Sequence, residues 1–469
     1  MRHAAAAGLA GGIALGLLAL AGCGEAAPPV PAADPGMRVL LIGVDGASWE
    51  QMMPLLRAGE MPRLEAVMRD GFAARLTTME PALSPVIWTT IATGKSPRKH
   101  GIHGFLAPDP AAGKRLPVTS NLRRTSAIWN MLGSAGVPVG VVGWWVTWPA
   151  EPVNGWMVSP YSAPGQTTWK GTVYTDGRAD QTWPRDYGKE IRAEIETGVN
   201  GAADEFHRLF PIPEGTELPD YLKAFVADTR WVHISDRIFR EVGVKMLRDQ
   251  GPRFTAVYFG GVDVTGHRFW RFAHPDEGHW ERTPEQIRIF SGALDEYYRW
   301  TDAAIGRLVD AAPPGTTVLI VSDHGMELRR GQKDRPPTPQ NLYPEEISGG
   351  HSKGPDGILI AAGPGIARNF FAGFWPEGSA MPRLGSRSHP AVVDLAPTLL
   401  ALFGLPAGAD MDGGVLQPVL DDPPSPPDPA RIPTWDALTP ARPEAIPMES
   451  PRMDEVLKRL EGLGYIDGD

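Results

Sequence analysis

The sequence predicts an α/β fold: a mostly parallel central sheet with helices on both faces and a cap insertion. Three observations lead there. Short apolar runs such as Arg38–Val44, Phe254–Gly260, Thr317–Val321 and Gly357–Gly363 are continuous rather than alternating, as in strands buried on both faces of a parallel sheet. Stretches of helical period separate these runs. Several of the runs lead directly into an aspartate or histidine, and open α/β sheets collect ligands at the carboxyl ends of their strands.

With 469 residues and 42% hydrophobic content, the chain can bury a large core, and one large domain carrying an insertion is the expectation. A formal net charge of −10 and the lack of any long basic run argue against nucleic-acid binding. The 48 prolines and 54 glycines imply many loops rather than low complexity, because the apolar fraction is normal.

Residues 1–22 read as a targeting segment rather than as part of the fold. Arg2 and His3 precede an apolar run from Ala4 to Ala21 that closes on Leu20-Ala21-Gly22-Cys23. This resembles a bacterial lipoprotein signal, in which the cysteine becomes the lipid-bearing N-terminus, and Cys23 is the single cysteine of the chain. The resemblance implies a membrane-anchored protein of the cell envelope. With no aspartate at position 24, it implies the periplasm-facing side of the outer membrane. Residues 23–36, rich in Ala and Pro, read as a tether. One cysteine permits no internal disulfide.

Within the domain, expected to span 37–420, the first strand ends at Asp45-Gly46. Met52 to Arg69 reads as one or two short helices broken near Gly59 and Pro62, and Ala73–Met79 as a strand. Ser84-Pro85 then opens a helix-length segment ending at Thr93-Gly94, a pattern of a helix start whose backbone N–H groups would favour an anion. Thr125–Gly136 reads as a helix, Val137–Val142 as a strand and Trp144–Pro149 as a tryptophan-rich loop. Such tryptophans are mostly structural, with substrate stacking the alternative. Residues 106–250, ending in long amphipathic helices from Leu218 to Asp249, are assigned to the cap.

After the strand Phe254–Gly260, Asp263 and His267 stand four apart with a glycine between, expected on a bent loop that turns both toward one ion. A helix is expected from Pro284 to Ala311, and Asp323-His324 follows the next strand. His351 precedes the strand Gly357–Gly363, and Ala391–Phe403 reads as a helix. The tail, 421–469, is expected as a Pro-rich surface segment followed by an amphipathic helix, Met453–Tyr465.

Each of these Asp and His residues has a structural explanation when taken singly. Together Asp45, Asp263, His267, Asp323, His324 and His351 form a mixed oxygen and nitrogen set that suits zinc, and one more numerous than a single closed site needs. Two metal ions sharing one reacting group is the economical reading. His100 and His103, in a Gly-rich turn, read as structural, and His389 competes with His351 for the last imidazole.

In order and spacing the motifs Gly-Val-Asp45-Gly, Leu-Ser84-Pro with Thr-Gly94 and His100-Gly-Ile102, Asp263-Val-Thr-Gly-His267, Ser-Asp323-His-Gly325 and His351 ahead of Leu-Ile-Ala-Ala-Gly-Pro364 resemble the alkaline phosphatase superfamily. The closest branch is that of type I phosphodiesterases and nucleotide pyrophosphatases. The resemblance implies an alkaline phosphatase-like fold. It also implies two divalent ions, Zn2+ by preference, one held by Asp45, Ser84, Asp323 and His324 and the other by Asp263, His267 and His351. Ser84 would be the nucleophile, forming a phosphoserine that water then hydrolyses. The expected activity is hydrolysis of a phosphoester, a phosphodiester first. A phosphomonoesterase, a phosphoryl transferase of the envelope, and a non-catalytic binding lipoprotein are the alternatives. Two departures bear on substrate. Ile87 stands where many nucleotide pyrophosphatases carry a phosphate-binding asparagine, and Trp88 stands where sulfatases of the superfamily carry an arginine.

Overall fold

The computed structural model describes residues 30–111, 113–163, 180–278, 282–329, 347–368, 390–422, 431–449 and 457. The signal segment, Cys23, the first half of the tether, His389 and all but residue 457 of the expected C-terminal helix lie outside the described residues. Among those described, no helix is long and apolar enough to cross a membrane.

Eight strands form one sheet: Val39–Val44 (β1), Gly71–Leu76 (β2), Val139–Val142 (β3), Gly155–Val158 (β4), Thr182–Trp183 (β5), Phe254–Phe259 (β6), Thr317–Val321 (β7) and Gly357–Ala362 (β8). Their spatial order is β2-β8-β7-β1-β6-β3-β4-β5. From β7 to β4 the strands are parallel, whereas β8 runs antiparallel to both β7 and β2, and β5 antiparallel to β4. Every residue of β1, β6 and β7 is buried, which is why these runs carry no polar alternation. A strand covered on both faces reads the same in either direction, so the reversal of β8 leaves no mark in its composition.

Helices Ser84–Thr93 (α1), Asp220–Lys245 (α2), Gly261–Ala273 (α3), Ala293–Ala311 (α4) and Leu395–Leu402 (α5) pack around the sheet. The helix expected from Pro284 to Ala311 is broken at Ser291-Gly292. Its first piece, Pro284–Phe290, starts with a capping box in which Thr283 and Gln286 exchange hydrogen bonds. The span 106–250, read as a cap, contributes β3, β4 and β5 to the sheet itself, and α2 packs against β6. The packing explains why: Gly140 and Gly143 come so close to Met246 and Phe239 that a Cβ on either would overlap those side chains. What this span adds at the rim of the sheet is the hairpin of Leu106–Asp109 with Lys114–Pro117 and the loop after β3.

The segment 431–449 forms no helix, turns at 436–438 and is firmly anchored. Trp435 is fully buried, with its indole N–H donated to the Pro406 carbonyl. Lys95 is buried and reaches both Asp410 and Asp436, at 2.6 and 2.8 Å. Glu151 lies between Arg123 and Arg442, each within 3 Å. Burial alone raises the Glu151 carboxyl, but the two guanidinium groups outweigh it and hold the acid at about 2. A depressed folded-state pKa gives stability that is present above the ordinary value of 4.5 and is lost as the pH falls through about 2. We therefore expect Glu151→Ala to lose about 3 kcal/mol at neutral pH. The gap to the parent should narrow as thermal melts are repeated from pH 5 toward pH 2, and a pH-independent gap would contradict the ion-pair account.

Candidate active site

The centre of the sheet holds β7, β1 and β6 side by side and parallel, so their carboxyl ends deliver Asp323-His324, Asp45 and the start of α3 to one rim. Asp45 Oδ2 accepts hydrogen bonds from Trp88 Nε1–H (2.9 Å) and Tyr258 O–H (2.6 Å). Trp145 Nε1–H donates in turn to the Tyr258 oxygen at 2.9 Å. Both bonds fall on one carboxylate oxygen, which leaves Oδ1 buried and unpaired. Asp323 Oδ1 accepts from the Gly46 N–H at 3.4 Å, and its Oδ2 is likewise buried and unpaired.

Asp263 and His267 lie on α3, one turn apart, and not on the bent loop expected from the glycines around them. Helical geometry places residues four apart on one face, so the convergence survives while the backbone differs. His267 Nδ1–H donates to the Gly349 carbonyl at 2.9 Å, which places the ring's lone pair on Nε2. That Nε2 stands 3.3 Å from Asp263 Oδ1 and 3.1 Å from His351 Nε2. The strand Gly349–Gly350 approaches α3 so closely that a Cβ at Gly349 would strike the Gly266 carbonyl. His324 Nδ1–H donates to the Gly325 carbonyl at 2.9 Å, and its Nε2 faces Asp45 Oδ1 at 3.4 Å and Asp323 Oδ2 at 3.3 Å.

Two clusters result, both buried. Asp45, Asp323 and His324 bring their donor atoms within 4.8 Å of one another, as do Asp263, His324 and His351. His267 completes the second through its contacts with Asp263 and His351. His324 borders both, its ring stacked on His351 at 3.7 Å, so the clusters adjoin. A tetrahedral ion with ligands at about 2.0–2.1 Å holds them about 3.3 Å apart. The separations of 3.1 to 3.7 Å match that edge. Burial and the Asp263 charge push the Asp45 carboxyl upward, and burial with Asp45 pushes Asp323 well upward. Carboxylates crowded in this way, with oxygens and an imidazole nitrogen left unpaired, fit a bound cation.

Ser84 is the first residue of α1, with Leu83 in the cap position, and its hydroxyl makes no capping bond. Extended Leu83 occupies the cap position, so Ser84 does not cap the helix. The N–H groups of Val86 and Ile87 both bond the Leu83 carbonyl and Pro85 has none, so the expected array of free backbone donors is not there. Ser84 Oγ is instead buried without a partner and borders the same cavity as Asp45 and Asp263. Ile87 is fully buried in the core, so no side-chain donor replaces the missing asparagine at that position. His100 bonds Thr90 and the Ile102 N–H and is structural, and His103 is exposed.

Three supporting residues escaped the sequence reading: Trp88, Tyr258 and Asp236. Asp236 of α2 accepts the Gly260 and Gly261 N–H groups at 2.9 Å each and the Tyr297 O–H at 3.0 Å, which ties down the start of α3. Burial pushes its carboxyl up to about 7. A carboxylate inside a predicted amphipathic helix, 24 residues before Gly260, carries no local signal of this role.

The family description that fits this geometry is type I phosphodiesterase/nucleotide pyrophosphatase, which matches residues 39–362. The chain belongs to that family. The match runs from β1 through β8 and takes in every site residue named above. In structure this phosphodiesterase-family chain is similar to phosphonoacetate hydrolase from Sinorhizobium meliloti in complex with phosphonoformate, at 20% identity and a TM-score of 0.39, over 63% of this chain and 58% of that one. It therefore spans less than two thirds of that hydrolase. Human ectonucleotide pyrophosphatase/phosphodiesterase 5 is similar at 14% identity and a TM-score of 0.46, over 82% of this chain and 100% of that one. No curated protein matches the sequence.

Tyr258→Phe should weaken divalent-metal binding about 10- to 100-fold without unfolding the chain, because the Asp45 carboxylate loses one of the two bonds that aim Oδ1. Chelator competition measures this, and an unchanged affinity would remove Tyr258 from the supporting shell.

Proposed function

We propose that this chain is a metal-dependent phosphoester hydrolase, acting on a phosphodiester, with Ser84 as its nucleophile. The observation that carries the reading is the pair of adjoining buried donor clusters at the rim of β7, β1 and β6, bordered by a buried hydroxyl that has no partner. Asp45, Ser84, Asp323 and His324 would hold one divalent ion and Asp263, His267 and His351 a second, with Zn2+ the best match to this donor set. Such ions, when bound, supply positive charge against the phosphoryl oxygens and lower the pKa of the serine hydroxyl. Ser84 Oγ then forms the new bond to phosphorus in line with the departing ester oxygen, and water cleaves the resulting phosphoserine. Leu83 and Pro85 fix the helix start, so the hydroxyl is held by backbone rather than by a hydrogen bond it would have to break. Trp88 and Tyr258 keep Asp45 oriented throughout. We place the protein in the cell envelope, anchored through Cys23, on the sequence of residues 20–23.

The test is hydrolysis of a bis(aryl) and a mono(aryl) phosphate by zinc-loaded protein in oxygen-18 water. The diester is expected to be cleaved faster, with one label in the released phosphate product. Transfer of the phosphoryl group to an added alcohol without label would favour the transferase, and absence of any cleavage would contradict the hydrolase.

A further inference from the structure

The cavity bordered by Asp45, Ser84 and Asp263 is a chamber of about 150 Å³ in all, and most of the rest of its lining is apolar. Its walls include Phe105, Trp145, Val146, Trp148, Tyr161 and Trp231. These come from the residue leading into the hairpin, the loop after β3, the turn after β4 and α2, and all but Phe105 fall within the span that the sequence marked as a cap. The rings brace one another edge to face, Phe105 on Trp145 at 5.8 Å and Trp148 on Tyr161 at 5.2 Å, so the chamber is preformed.

Three features define what fits. An apolar space of about 150 Å³, open on one side, accommodates a single benzene-sized group, whereas a nucleoside, with base and sugar, exceeds it. Among the described residues bordering the chamber none is lysine, arginine or histidine, so no second anionic group is neutralised there. The carboxylate of Asp236 reaches this border but is already engaged by two backbone N–H groups and the Tyr297 hydroxyl. The unpaired polar atom of the aromatic wall is a donor, Trp148 Nε1–H, buried and without a partner. A donor calls for an acceptor, which an ammonium group does not offer. Val146, at φ 56, holds a left-handed backbone that β-branched residues rarely adopt. Such conformations cluster at ligand sites.

We propose that this chamber is the subsite for one ester substituent, and that it selects a compact, uncharged, ring-sized apolar group carrying a hydrogen-bond acceptor. This rests on the phosphoester reading above and narrows it away from nucleotides. Phosphonates test it cleanly, because each carries one substituent beside the phosphoryl group.

In calorimetric titrations of the zinc-loaded protein, phenylphosphonate should bind about tenfold or more tighter than methylphosphonate, from burial of the ring. The 2-aminoethyl compound should bind no tighter than the methyl one. Val118→Trp, at a half-buried position on the chamber wall outside the donor clusters, should erase the phenyl advantage and leave methylphosphonate binding unchanged. Equal affinity for phenyl and methyl compounds, or preference for the aminoethyl one, would overturn the subsite while leaving the hydrolase reading intact. Failure of every phosphonate to bind would overturn the phosphoester reading itself.

Discussion

Ser84→Ala is expected to lower phosphoester turnover by at least about 1000-fold while leaving the fold unchanged, as loss of a nucleophile does in other covalent mechanisms. Both halves of the expectation come from the same local geometry. The hydroxyl is buried at the start of α1 and bonds to nothing, so its removal breaks no hydrogen bond. Leu83, not Ser84, occupies the cap position, so alanine at the first helical turn carries no capping penalty and has the better helix propensity. Bound zinc should fall only in part, because Asp45, Asp323 and His324 remain. Steady-state kinetics with zinc counted per chain check this directly. Turnover at the parental rate would contradict the nucleophile assignment.

Asp323→Asn should change stability in opposite directions depending on metal. In the chelated protein, Asp323 is a fully buried carboxylate beside Asp45, and burial and that neighbour both oppose its charge. Replacing it with an isosteric neutral amide relieves the repulsion, so the melting temperature of the metal-free variant should exceed that of the metal-free parent. With zinc present the order should invert. The parent gains stability from the ion in proportion to its occupancy, and the variant, short of one anionic ligand, gains less. Activity should fall with the zinc affinity, by more than the 10- to 100-fold typical of a supporting residue. Melting curves with and without chelator measure both signs. A carboxylate that serves only as a structural hydrogen-bond acceptor would lower stability in both states.

How much of this was legible in the sequence depends on what kind of information each feature needs. β1, β6 and β7 announce themselves because burial on both faces removes charged residues and polar alternation from the run. The donors at their ends were readable for the same reason, since Asp45 and Asp323 interrupt an otherwise apolar pattern. The backbone under Asp263 and His267 was not readable. Gly260, Gly261 and Gly266 suggest a loop, yet a helix forms there because Asp236 binds its first N–H groups and because the glycines admit Tyr297, Met326 and Gly349 at close range. Ser84 was singled out at a helix start, but that Leu83 fills the cap position and leaves the Ser84 hydroxyl buried without a partner shows only in three dimensions. The roles of Trp88, Tyr258 and Asp236 are purely tertiary: each lies 43 or more positions from, or on a different element to, the group it supports. The same holds for the apolar chamber, assembled from a hairpin, two loops and a helix that have no common pattern in sequence.

The central claim is that the seven donor side chains hold two ions at one rim of the sheet. Diffraction from zinc-loaded crystals, with anomalous signal recorded at the zinc edge, tests it most directly. Two peaks about 4 Å apart are predicted, one within ligand distance of Asp45, Ser84, Asp323 and His324 and the other of Asp263, His267 and His351. A single peak, or peaks that leave either cluster empty, would contradict the account.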